Sequence, residues 1–133
     1  MRFHHVGVVV KSIEQTATHY RKNLHLEPQS EIIEDPIQKV KVQFWARPGD
    51  STSVELIEPA GEDSPVQRAL AKGGGLNHLC YEVDDIGAAV EEALANGALQ
   101  VGSLAPATAF AGRRITFLYY RHIGLVEFVE AAS

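Results

Sequence analysis

Cysteine is almost absent. Cys80 is the only one in 133 residues, so no internal disulfide can form and no CxxC redox or metal motif exists. Long apolar runs are missing as well. The longest, over residues 6–10, is far short of a bilayer span, and the opening residues show no basic region followed by an apolar signal segment. A cytoplasmic protein with no membrane partner is expected. There is no basic block either: 12 Lys and Arg against 17 Asp and Glu leave a formal charge of −5, and binding to a phosphate backbone lacks its electrostatic source. Nucleic acid is therefore not an expected partner. What is present is an ordinary globular balance, 45% apolar and 22% charged, in a length that fits one domain over residues 1–133 with a real core.

Self-similarity organises that length. HVGVVVKSI from His5 and HLCYEVDDI from His78 both read histidine, apolar alternation, valine, a helix-capping residue and isoleucine. The offset is 73 throughout: His5 with His78, Val10 with Val83, Ser12 with Asp85, Ile13 with Ile86. VELIE at 54–58 returns as VEFVE at 126–130, offset by 72. Two halves of one design are implied. A chance likeness between two strand-turn-helix units accounts poorly for polar residues that match inside apolar strands.

Hydrophobic period assigns the elements. Residues 3–10 alternate as a strand, and Ser12 caps a helix whose apolar positions Ile13, Ala17, Tyr20 and Leu24 recur at three- and four-residue steps. Strand-like runs follow near 30–35, 39–46 and 52–58, separated by Asp35-Pro36 and the Pro48-Gly49-Asp50 turn. Ser64 and Pro65 start a short helix to about Lys72, ended by three glycines at 73–75. The second half repeats the order with strand 77–83, helix 86–96 closed by Asn96-Gly97, and strands near 98–104, 113–120 and 124–130. Its loop over 105–112 is rich in small residues and reads as mobile. The expected fold class is α+β: two repeated β-α-β-β-β modules, about 1–60 and 76–133, joined through a linker helix within about 61–75. Together they form one curved, mostly antiparallel sheet around a cleft.

Strand parity then selects side chains. Val6, Val8 and Val10 form the face that packs under the helix, which turns His5 toward whatever the sheet encloses. In the fifth strand Leu79, Tyr81 and Val83 are the apolar set, and His78, Cys80 and Glu82 share the other side. Glu55 sits between Val54 and Leu56, and Glu127 between Val126 and Phe128; a carboxylate in such a run is costly unless paired or metal-bound. Two imidazoles and two carboxylates arriving as symmetric pairs would neutralise a divalent cation and leave coordination positions open. Each residue alone has a blander reading, as a hydrogen-bonded strand histidine or a solvated edge glutamate. The matched set of four favours a metal site at His5, Glu55, His78 and Glu127, with a donor set that accepts nickel, cobalt, zinc, manganese or iron. Parity sets His4 aside, and Asn77 takes its place in the second module. His19, His25 and His122 have no repeat partner and read as surface residues, while Glu58 and Glu130 fall at strand ends and read as solvated. Gln43 and Thr116 match across the repeat and are candidate substrate-binding residues lining a pocket. Cys80 reads as a free buried cysteine.

HHVGVVVKSIE at the start, VELIEPAGEDSPVQRAL in the middle, LNHLCYEVDDIGAAV after it and GLVEFVE at the end make nearly the whole chain resemble the vicinal oxygen chelate superfamily. That group includes glyoxalase I, methylmalonyl-CoA epimerase, bleomycin resistance proteins and extradiol dioxygenases. Within it the sequence most resembles the epimerases and the small glyoxalase-like proteins. The resemblance implies the same four ligand positions, with a metal that chelates two substrate oxygens, stabilises an enediolate or enolate, and works beside a carboxylate that moves the proton. Glu127 is then the expected catalytic base, and Glu55 the second carboxylate of a two-base isomerisation. The expected activity is that of an isomerase or lyase acting on a thioester or hemithioacetal, epimerase-like or lactoylglutathione lyase-like, on a small-molecule coenzyme A or glutathione derivative. Arg113, with Arg114 and Arg47 as its competitors, would meet the anionic carrier. Because subunits of the superfamily often pair, a homodimer is expected. Two departures from the epimerases stand out, the first of which tilts the site toward a glyoxalase-like ligand set while the second counts against epimerase activity. Epimerases carry glutamine where this chain has Glu55, and their Glu-Gln-Gly-Val stretch before the third strand reads Ile37-Gln38-Lys39-Val40 here. The alternatives are an iron-dependent dioxygenase, against which a fourth protein ligand at Glu55 counts, and a metal-free small-molecule binding or resistance protein, against which the surviving ligands count.

Overall fold

The computed structural model describes residues 1–132. Strand β1 (Arg2–Val9) runs into Ser12, whose extended backbone and hydroxyl accept the Gln15 N–H at 3.2 Å and so start α1 (Ile13–Leu24). The first module continues with β2 (Glu27–Pro28), β3 (Ile33–Asp35), β4 (Val40–Ala46) and β5 (Ser53–Pro59), followed by the linker helix α2 (Gln67–Ala71). The second module answers with β6 (Gly75–Val83), then α3 (Ile86–Ala95), capped by Asp85 on the Ala88 N–H at 3.0 Å. After α3 come β7 (Leu99–Pro106), a 3-10 turn over Thr108–Phe110, β8 (Arg114–Tyr120) and β9 (Gly124–Glu130).

All these strands belong to one sheet in the order β2-β4-β5-β1-β6-β9-β8-β7, with β3 also paired to β4. Only β1 with β5 and β6 with β9 run parallel. Each module therefore has the same internal pairing, and the halves join where β1 and β6 run antiparallel. The expected α+β class and repeated modules hold. The strand read over 30–35 is shorter and broken. The Gln29 N–H still donates to the Phe44 carbonyl at 2.8 Å, but the Phe44 N–H, which a longer strand would engage, goes instead to the Ser30 hydroxyl at 3.2 Å.

Helices α1 and α3 cover one face of the sheet, while α2 packs Ala69 and Leu70 against the other. Val8 and Val10 pack with Ile13, Ala17, Tyr20, Trp45 and Leu56 under α1, as the alternation requires. Val83, Ile86, Ala93, Leu118, Val126 and Phe128 form the equivalent layer under α3. The other face is concave. Its two apolar clusters, one around Val9, Val40, Val42 and Ile57 and one around Cys80, Phe110, Ile115 and Val129, come from different modules. They are clasped by Asp35, a buried carboxylate. One of its oxygens accepts the N–H groups of Ile37 and Gln38 at 2.9 and 3.0 Å, and the other accepts the Thr108 N–H across the cleft at 3.1 Å. The loop that reads as mobile in sequence thus holds a 3-10 turn, tied to the opposite module by that bond. Among the described residues no helix is long and apolar enough to cross a membrane.

Candidate metal centre

At the middle of the sheet Val6 faces Leu79, and the two modules meet about that pair. The β1–β6 ladder slips twice. Phe3 opposes Tyr81 but His5 opposes Cys80, so His4 is an extra residue on β1; Gly7 opposes His78 but Val8 opposes Leu76, so Asn77 is an extra residue on β6. These are β-bulges at matched positions, each immediately before a histidine, and a bulge re-aims the side chains beside it. Parity therefore fails at His4. Its Nδ1 lies 2.8 Å from Nδ1 of His5, just as Asn77 Oδ1 lies 2.9 Å from Nδ1 of His78.

The four residues selected from sequence converge. His5 is fully buried and Glu55, His78 and Glu127 nearly so, and one ligand atom from each falls within 4.8 Å of all the others. The two Nε2 atoms are 3.2 Å apart, each is 3.2 Å from Glu127 Oε1, and Glu55 Oε1 is 3.3 Å from His5 and 3.6 Å from His78. Donors bonded at roughly 2.1 Å to one ion stand roughly 3.0 to 3.4 Å apart, so this spacing fits a shared cation. Glu127 Oε1 is buried, close to both imidazoles, yet without an aligned hydrogen bond. An orphaned carboxylate oxygen in an apolar interior is costly, and a cation at the centre of the cluster would satisfy it.

Aromatic rings hold the imidazoles from behind, again in symmetric fashion. Phe44 stands edge-on to His5 at 5.4 Å and Phe117 edge-on to His78 at 5.2 Å between ring centroids, while Phe110 stacks on His5 at 6.0 Å. Gly7 completes the second half, because a Cβ there would collide with the His78 ring. The Gly7→Ala variant is expected to displace that imidazole, to cost about 1–3 kcal/mol of stability and to lower metal retention. Melting temperature and elemental analysis both read this, and wild-type values in both would show that the ring has room to spare.

In protein stripped of ions by chelation the cluster must balance its own charge. Burial alone would lower the pKa of His5, but Glu127 and Glu55 beside it outweigh this and raise it to about 9. Burial likewise pushes the Glu127 carboxyl up, and His5 and His78 reverse this, bringing it well below the usual carboxylate range. His5 therefore carries a proton at pH 7 that an incoming metal must displace. Metal uptake is expected to release about one proton, measurable by calorimetry in buffers of different ionisation enthalpy. The same shift fixes a sign for stability. A histidine raised in the folded state contributes stability that is complete below its ordinary value of 6.5 and is lost as pH rises through about 9. The melting temperature of stripped protein should fall across that window, and that of metal-loaded protein should not; equal slopes would contradict the shared charge.

The remaining candidates lie as follows. Thr116 lines the cleft, 1% exposed, and its hydroxyl accepts from Gln100 at 3.0 Å. Gln43 braces the β2–β4 edge, donating to the Ser30 carbonyl at 3.0 Å and accepting from the Trp45 indole at 3.1 Å. Arg113 donates to Glu82 and to the Glu130 carbonyl at 3.0 and 3.1 Å, with its guanidinium over the Phe110 ring. Arg114 pairs with the Glu130 carboxylate at 2.8 Å and holds it at a pKa of about 2. Glu58 accepts the first N–H of α1 from Ile13 at 2.9 Å. His19, His25, Arg47 and His122 are exposed. Cys80 is buried, which pushes its thiol pKa up and keeps it protonated at neutral pH. His4, lowered by burial and by neighbouring His5, is neutral there. Sequence reading passed over His4, Asn77, Asp35 and the Phe44–Phe117 pair. The last was detectable, since it keeps the same offset of 73.

The cleft encloses about 400 Å³. Its wall is mostly apolar, including Val40, Ile57, Ala107, Ile115 and Leu125, and its ionisable lining among the described residues consists of Asp35, Glu55, His78 and Glu127, with no Lys or Arg.

Residues 4–117 match the profile of the Glyoxalase/Bleomycin resistance protein/Dioxygenase superfamily. The ethylmalonyl-CoA/methylmalonyl-CoA epimerase of Cereibacter sphaeroides is 38% identical over 123 residues, covering 89% of this chain and 87% of that protein. The mitochondrial methylmalonyl-CoA epimerase of Mus musculus is 35% identical over 134 residues, 98% of this chain and 73% of that one. Among solved structures, a variant of Streptomyces coelicolor methylmalonyl-CoA epimerase in complex with 2-nitronate-propionyl-CoA superposes with a TM-score of 0.83 at 27% identity, over 100% of this chain and 99% of that one.

Proposed function

The chain belongs to the glyoxalase/bleomycin resistance protein/dioxygenase superfamily, and from that membership we propose that it is a metal-dependent isomerase that moves the proton α to the carbonyl of a short acyl-coenzyme A thioester. The observation that carries this reading is the buried His5, Glu55, His78 and Glu127 cluster at the base of an apolar cleft, in a chain whose relatives are epimerases of branched malonyl thioesters. A divalent ion held by these four side chains would polarise the thioester carbonyl and stabilise the negative charge left by proton removal. The chain's own residues supply the rest. Glu127 stands on β9 and Glu55 on β5, the strands flanking the central β1–β6 pair on opposite sides, an arrangement that offers a carboxylate to each face of a planar carbanion. Glu127 is ionised at neutral pH, the state in which it accepts a proton. The apolar wall takes the alkyl branch and keeps water from the carbanion.

A second reading, lyase chemistry on a glutathione hemithioacetal, is favoured by one feature. Two carboxylate ligands make the site formally neutral with a divalent ion, and the cleft offers no cation to a substrate carboxylate, which suits a neutral reacting end. One experiment separates the two. Metal-loaded protein is incubated in D2O with methylmalonyl-CoA, ethylmalonyl-CoA or the methylglyoxal–glutathione adduct, and products are followed by NMR. Deuterium at the α-carbon of an acyl-CoA supports the isomerase, and formation of lactoylglutathione moves the assignment to the lyase. Neither, with the metal bound, overturns both.

A further inference from the structure

We propose that His4 is a positioning residue for the metal centre: it accepts the Nδ1–H of His5 and thereby fixes that ring's tautomer and plane, so that Nε2 is presented to the ion. The proposal rests on the metal reading of the site and goes beyond its four ligands. Two ring nitrogens 2.8 Å apart must share one proton, one donating and one accepting. For His5 to offer a lone pair at Nε2, its proton must sit on Nδ1, which makes His4 the acceptor. The second module shows the same device with another residue. Asn77 stands at the repeat-matched position, on the matched bulge, and its carbonyl oxygen takes the Nδ1–H of His78 at 2.9 Å. Two different side chains that share a lone pair, each placed by a backbone irregularity next to a ligand, point to acceptance of that hydrogen as the common task. Outer partners of this kind orient ligating histidines and raise their basicity, and their loss typically weakens metal binding about 10–100-fold.

The competing role for His4 is packing, since its ring is edge-on to Phe110 at 5.3 Å and to Phe44 at 6.1 Å. Two variants separate the roles. His4→Phe keeps an aromatic ring and removes the acceptor, while His4→Asn removes the ring and restores the acceptor already used at Asn77. Zinc and cobalt affinities would be measured by competition with a chelator on the full chain, beside melting temperatures and the 15N shifts of the His5 ring. For His4→Phe a loss of about 10–100-fold in affinity is expected, with the His5 proton no longer confined to Nδ1. His4→Asn should bind within a few-fold of wild type and keep the Nδ1–H tautomer. Wild-type affinity in His4→Phe, or an equal loss in both variants, overturns the positioning role and leaves the metal site standing. Failure of the wild-type protein to take up either ion sinks the metal reading and this proposal together.

Discussion

Glu127→Gln is expected to slow solvent exchange at the substrate α-carbon by about 10²–10⁴-fold, the usual contribution of a positioned general base, while the chain stays folded. The amide has the shape of the carboxylate and keeps an oxygen near the two imidazoles, so β9 has no reason to move; what it cannot do is accept a proton. Glu55→Gln should behave differently if the two carboxylates serve opposite faces. With a single enantiomer as substrate, one variant would still exchange the α-proton with solvent yet fail to invert the centre, and the other would do neither. Exchange in Glu127→Gln within a few-fold of wild type, at equal metal content, would remove Glu127 from the chemistry. The substitution has a second, independent readout in stripped protein. Glu127 is one of two carboxylates that raise the His5 pKa, so its replacement should bring that value down and reduce the proton released on metal uptake at pH 7.

The placement of these side chains was legible in sequence to different depths, and the reason is physical. A strand sends alternate side chains to opposite faces, so two histidines and two glutamates at matched positions inside apolar runs could be assigned to one side without coordinates. His4 was beyond that logic. A bulge is a property of a pair of strands, and nothing in residues 2–9 alone says that β6 will skip a partner opposite Phe3 and His5. Asp35 was recognisable as a turn residue beside Pro36, and it does bind its own turn, but its third bond reaches Thr108, 73 residues away. The same distance hid the order of the 105–112 segment, whose small residues favour mobility locally and whose anchor lies in the other module. Gln43 shows the limit of the repeat itself. It matches Thr116 in position, yet Trp45 and Ser30 engage its amide at the sheet edge while Thr116 remains on the cleft.

Removal of both imidazoles should have the largest effect on the folded molecule. The double variant His5→Ala, His78→Ala is expected to lose the bound ion entirely by elemental analysis, whereas wild type retains about one per chain. It should also be less stable than stripped wild type by about 3–5 kcal/mol, because Glu55 and Glu127 remain buried with no positive partner. The pH dependence should then reverse. In stripped wild type Glu127 is held below its ordinary value, so its contribution is present above that value and lost as pH falls. In the double variant nothing lowers it, burial raises it, and stability is lost as pH rises through the elevated value. Melting temperature should accordingly climb on acidification through that elevated value in the variant, whereas in stripped wild type the Glu127 contribution is lost on acidification below 4.5. Adding Glu55→Gln and Glu127→Gln to the double variant tests the cause directly, since removing the charges should restore most of the loss. A double variant that still binds one ion, or whose melting temperature ignores pH, would mean that these four side chains are not the charged centre of the fold.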